Sequence, residues 1–155
     1  MIPLAKMAAP AAKLLLRQAT ALKPKRKKAS DGLLPSAAHV KQNPNSDHNS
    51  GFAVDLTHDP ENGINCHEAY VHFKLDRRVK YLIFKGKIWS AEKGERGYTG
   101  SNPHDKHIHV SIKENCGYDT SPWFPWLDKP KFKTADAARA AILRLKPLPK
   151  KKEKK

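Results

Sequence analysis

Met7, Ala11, Leu14, Leu15, Ala19 and Leu22, with Gln18 among them, recur at three- and four-residue steps, and this single stripe predicts an amphipathic helix over 7–22 that Pro24 ends. Residues 30–50 are rich in Ser, Asn, Pro, Asp and Gly and read as a loop. Phe52 to Leu56 reads as a short strand, Asp59 to Gly63 as a turn, and Cys66 to Leu75 as a helix. Lys80–Phe84 and Lys87–Trp89 flank Lys85-Gly86 and predict a β-hairpin. Three glycines between 92 and 102 suggest a long loop, and the alternation from His107 to Ile112 predicts another strand. Trp123-Phe124-Pro125-Trp126 reads as an aromatic cap on a core. A short third helix is expected over 134–146, with Thr134 as its cap and Ala137, Ala138, Ala141, Ile142 and Leu145 on one face. The pattern is that of an α+β protein: a small antiparallel sheet with flanking helices. It divides into a basic helix and arm over 1–29, a body over 30–126, a linker and helix over 127–149, and a Lys-rich tail over 150–155.

A chain of 155 residues, 39% hydrophobic and 29% charged, suits one globular domain with extensions. No apolar run approaches the roughly 20 residues of a membrane span, and two cysteines are too few for a disulfide scaffold or a four-cysteine zinc site. With no clear secretion signal, free thiols are the default for Cys66 and Cys116. The net charge of +15 is unevenly placed: 1–29 carries +8 and 113–155 carries +7, while 30–112 holds ten basic and ten acidic residues. A neutral body between basic flanks argues against nucleic acid as the primary partner. It suits adhesive arms able to hold the protein near any polyanion: an anionic envelope (cell-wall) polymer, anionic lipid or nucleic acid. Lys25-Arg26-Lys27-Lys28 reads as a solvated run.

Of eight histidines, His39, His58, His67 and His72 are scattered, whereas His48 and the cluster His104, His107 and His109 invite chemistry. In Ser46-Asp47-His48-Asn49-Ser50-Gly51-Phe52-Ala53-Val54-Asp55, His48 ends a loop and Asp55 lies on the strand that follows. Gly51 permits the close turn between them, and Ser46 can hydrogen-bond locally to orient the loop. His107 and His109 are two apart on a strand, so both imidazoles face one way while Ile108 faces the core. His48, Asp55 and one of this pair supply nitrogen and oxygen ligands that suit Zn2+ and leave a fourth position open, the layout of a catalytic zinc. Asp47 is a candidate partner for the outer nitrogen of a ligating imidazole.

The block at 46–55 resembles the signature of the zinc D-alanyl-D-alanine peptidases. Their superfamily includes lysostaphin-type endopeptidases, the hedgehog signalling domain and phage endolysins that cut between L-alanine and D-glutamate. Ser30-Asp31-Gly32, Ala38-His39, and Tyr98-Thr99-Gly100-Ser101-Asn102-Pro103-His104 ahead of His107-Ile108-His109 are similar to small phage versions, and the likeness covers about residues 12–126. The resemblance implies that His48, Asp55 and His109 bind zinc on a sheet face, and that His107 assists catalysis without binding it. Many relatives place an acid three residues before the last ligand; here that residue is Lys106, which leaves Asp105 or His107 as the base. Ser46, Tyr98 and Ser101 are candidate substrate contacts.

The function implied is zinc-dependent hydrolysis of an amide bond in peptidoglycan stem peptides. The protein is expected to be a monomeric phage lysis or virion-associated enzyme that passes from host cytoplasm to the cell wall or periplasm, or is carried in a particle. The rival reading is a catalytically inactive, zinc-stabilised binding module of the same fold. A third, a nucleic-acid binder, rests on the basic flanks alone.

Overall fold

Alternation decides the sheet. On β5 (His107–Ile112), Ile108, Val110 and Ile112 are buried on one face, while His107, His109 and Ser111 occupy the other. In the computed structural model, which describes residues 7–34, 45–100 and 102–127, β5 is central. It pairs on one side with β1 (Ala53–Thr57) and on the other with β2 (Val79–Phe84); β3 (Lys87–Ser90) and β4 (Gly94–Gly97) follow, so the order is β1-β5-β2-β3-β4, antiparallel throughout. The expected α+β class with a small antiparallel sheet and helices beside it is what the described residues form.

The helices cover the apolar face. α1 (Pro10–Leu22) begins with proline at its first turn, where the missing N–H costs nothing. It buries Ala11, Ala12, Leu15 and Ala19 against the sheet. Met7, expected on the stripe, precedes the helix and is exposed. α2 (Cys66–Phe73) is shorter than its pattern predicts; Asn65 caps it by accepting from the His67 N–H, and Ala69, Tyr70 and Phe73 join the core. Trp123 and Phe124 close the core, as the aromatic run suggests; the Trp123 indole N–H donates to the Ala11 carbonyl at 2.9 Å. Cys66 is a free buried thiol, its pKa pushed up to about 12 chiefly by burial, and Cys116 is also free.

Three expectations need correction. The stretch read as a long loop contains β4, whose pairing with β3 rests on the backbone of Gly94-Glu95-Arg96-Gly97 and leaves no side-chain periodicity to read. The basic run is not uniformly solvated: Arg26 is buried and forms a fork with Asp31 at 2.5 and 3.1 Å. Asp31 also accepts from the backbone and hydroxyl of Thr57, which ties the arm after α1 to β1. Among the described residues of the loop over 30–50, Gly32 forms a bridge with Asp55 and Asp47–Ser50 forms a 3-10 turn. The helix expected over 134–146 and the tail over 150–155 lie outside the described residues.

Candidate metal centre

Each ligand is placed by a different local device. Ser46 caps the 3-10 turn, its hydroxyl accepting from the His48 N–H at 3.2 Å, so this residue orients the loop as its position suggested. Gly51 ends the turn at φ +84°, and a side chain there would collide with the Met7 carbonyl. Asp55 is held by its backbone on both edges. It pairs with His109 on one side and exchanges hydrogen bonds of 2.8 and 3.1 Å with Gly32 on the other.

The three side chains converge. His48 Nε2 lies 3.2 Å from Asp55 Oδ1, and His109 Nδ1 lies 3.2 Å from the same oxygen. One ligand atom from each residue falls within 4.8 Å of the other two, so His48, Asp55 and His109 can hold a metal ion. A tetrahedral ion with arms of about 2.0–2.1 Å sets neighbouring ligand atoms about 3.3 Å apart, close to both measured separations. The outer nitrogens are already engaged: His48 Nδ1–H donates to the Leu33 carbonyl at 2.8 Å, and His109 Nε2 meets Ser111 Oγ at 2.7 Å. The carbonyl contact fixes the His48 tautomer with its free Nε2 toward Asp55, and the hydroxyl contact orients the His109 ring with Nδ1 toward the same carboxylate. Asp47 does not serve this role. Its carboxylate pairs with Lys80 at 3.2 Å, because the turn aims it across the sheet.

Around this core stand further aromatic rings. Tyr81 stacks on His109 with centroids 5.3 Å apart, and His107 Nε2 sits 3.6 Å from Asp55 Oδ2. His104, at φ +61°, sets its ring 4.8 Å from His107 and 5.8 Å from His109. Tyr98 meets the edge of His104 at 5.6 Å, one ring removed from His107. Asp105 is exposed, and among the described residues no hydrogen bond or ion pair joins it to the cluster. Ser101 lies outside the described residues, as does His39. Leu33, Ser111 and Tyr81 were missed. Ser111 was legible, since it continues the His107–His109 alternation by two residues; a backbone carbonyl such as that of Leu33 leaves no trace in sequence.

The protonation balance follows from these contacts. Burial pulls the His48 pKa down, but the hydrogen bond and charge of Asp55 outweigh it and raise the pKa above 6.5. Burial alone pulls Asp55 up; the His109 and His48 hydrogen bonds hold it well below the usual carboxylate range. His107 is lowered by burial, with the neighbouring imidazoles adding to this against Asp55, so it is neutral at pH 7. His104 falls to about 4 for the same reasons, burial first.

Two outcomes are expected. A metal ion must displace the proton that Asp55 helps His48 retain. Affinity should therefore fall as pH drops, by about tenfold per unit below the raised His48 pKa; competition titrations against a chelator from pH 5 to 8 read this, and a flat profile would contradict it. Ser111→Ala removes the partner of His109 Nε2 and should weaken metal binding by about tenfold without unfolding the protein, as measured by the same titration with circular dichroism.

The chain matches no family model, no curated protein and no solved structure. Among the described residues, no helix is long and apolar enough to cross a membrane.

Proposed function

We propose that this chain is a zinc-dependent peptidase that hydrolyses an amide bond in peptidoglycan stem peptides, as a phage lysis or virion-associated enzyme with a hedgehog/DD-peptidase-like fold. One observation carries the reading: two imidazole nitrogens meet one carboxylate oxygen at 3.2 Å, with their outer nitrogens already bonded and the carboxylate the most exposed member. The signature over 46–55 and the alternation of His107 and His109 supply its chemical class. His48, Asp55 and His109 would hold zinc, which when bound supplies Lewis acidity and lowers the pKa of water from 15.7 to about 7.

The chain's own groups do the rest. His107, neutral at pH 7 and 3.6 Å from Asp55 Oδ2, accepts a proton at Nε2 and returns it to the leaving amine. Tyr81, stacked on His109, walls the site and restricts that ring's rotation. The basic flanks hold the enzyme against anionic envelope polymers.

Zinc-loaded protein should clear a suspension of purified cell walls and stop when a chelator is added. Clearing that persists in excess chelator would overturn the reading. The exposure of Asp105 and the presence of Lys106 where relatives carry an acid favour the second reading, an inactive zinc-stabilised module. That reading expects one tightly held zinc and intact walls.

A further inference from the structure

The metal face does not end at β5. Register carries it from Asp55 and His109 to Ser111, then to Tyr81 on β2, Ser90 and Ile88 on β3, and Arg96 on β4. Beyond Tyr81 this face forms an open groove of about 580 Å³, floored by Tyr81 and Ile88. Four cations border it, Lys80, Lys93, Arg96 and Lys113, against a single carboxylate, Glu92. Lys80 is engaged with Asp47 at 3.2 Å, but Lys93, Arg96 and Lys113 make no ion pair among the described residues. On the neighbouring strands Lys74 and Lys87 both approach Glu95, at 3.5 and 3.8 Å. The near-neutral body over 30–126, with eleven basic and twelve acidic residues, therefore conceals a local excess of positive charge beside the metal site.

We propose that this groove binds a free carboxylate of the peptide substrate, about three residues from the bond that is cut. The distance follows from strand spacing. Strands lie about 4.8 Å apart, so β3 is about 10 Å from β5, a span that an extended peptide covers in about three residues at about 3.3 Å each. Tyr81 and Ile88 offer an apolar floor for the intervening chain, and the unpaired cations select a negative group at its far end. The inference rests on the peptidase reading for the identity of the ligand, while its test reads binding alone.

The probes are L-alanyl-γ-D-glutamyl-L-lysyl-D-alanyl-D-alanine, amidated at its C-terminus and carrying a free α-carboxylate on the glutamate, the third residue back from the D-alanyl-D-alanine bond, and the same peptide with that carboxylate as a primary amide. Binding is measured by calorimetry with the full chain after chelator treatment, so no cleavage intervenes. The wild-type protein should hold the carboxylate form at least tenfold more tightly. The Arg96→Gln/Lys113→Gln variant should hold both forms equally, with unchanged zinc uptake. Equal affinities in the wild type, or a preference that survives in the variant, would overturn the proposal. So would poly(glycerol phosphate) binding that the variant loses while the peptide preference is unaffected, since the groove would then be a wall-polymer site. Failure of the zinc-loaded protein to cut either peptide would count against the peptidase reading, and the measured affinities would still decide the groove.

Discussion

A His48→Ala protein is expected to fold, to retain no zinc, and to cleave peptide at less than about a thousandth of the wild-type rate. His48 stands on the 3-10 turn beside β1 and contributes nothing to the hydrophobic cluster, so its removal leaves the core intact. The main structural loss is the hydrogen bond to the Leu33 carbonyl, a cost of about 1–3 kcal/mol. The chemical loss is larger. Asp55 keeps two imidazole neighbours, His109 and His107, instead of three, and a bound ion loses a nitrogen ligand. The several kcal/mol of charge stabilisation that such an ion supplies correspond to about a thousandfold at about 1.4 kcal/mol per decade. Zinc counted per chain by elemental analysis, beside a folded circular dichroism spectrum, checks the first part. Wild-type cleavage by a zinc-free variant would contradict it.

The largest stability effect is expected at Arg78. Its guanidinium is 1% exposed, and all five N–H donors have partners. Nε and Nη2 grip the Asp76 carboxylate at 2.9 and 2.7 Å, while the remaining donors reach the carbonyls of Asp119, Ser121 and Pro122 at 2.7–3.2 Å. The plane lies over the Trp123 ring, 3.6 Å from its centroid. One side chain at the start of β2 thus binds the segment that delivers Trp123 and Phe124 to the core. Arg78→Met keeps volume but orphans three carbonyls and a carboxylate, and should cost about 3–5 kcal/mol. For a chain of this length that is a fall of roughly 10–15 °C in Tm. Arg78→Lys is not conservative here, since a single ammonium cannot serve five directions. A urea midpoint unchanged in Arg78→Met would contradict this role.

Much of the site was legible because it obeys local rules. His107, His109 and Ser111 alternate with Ile108, Val110 and Ile112, so one strand announces both its chemical and its buried face. The spacing from His48 to Asp55 fits a turn closed by glycine and a strand that follows. What escaped was non-local or carried by backbone. Arg26 sits in a run of cations that reads as solvated, and only the folded position of Asp31 and Thr20 explains its burial. β4 pairs through main-chain atoms of a glycine-flanked segment. The Leu33 carbonyl that orients His48 and the Gly32 bridge that braces Asp55 come from a stretch whose sequence resembles any loop. Asp47 was given a role beside the ligands because it adjoins one in sequence; the turn points it to Lys80 instead.

The most direct test is mass spectrometry of muropeptides incubated with the zinc-loaded full chain, with and without a chelator. Products with one new amine and one new carboxylate at a single peptide bond are expected, absent under chelation and restored by added zinc. Muropeptides that stay intact beside a fully zinc-loaded protein, or that are cut equally well when the metal has been stripped, would contradict the assignment of His48, Asp55 and His109 to a hydrolytic metal centre.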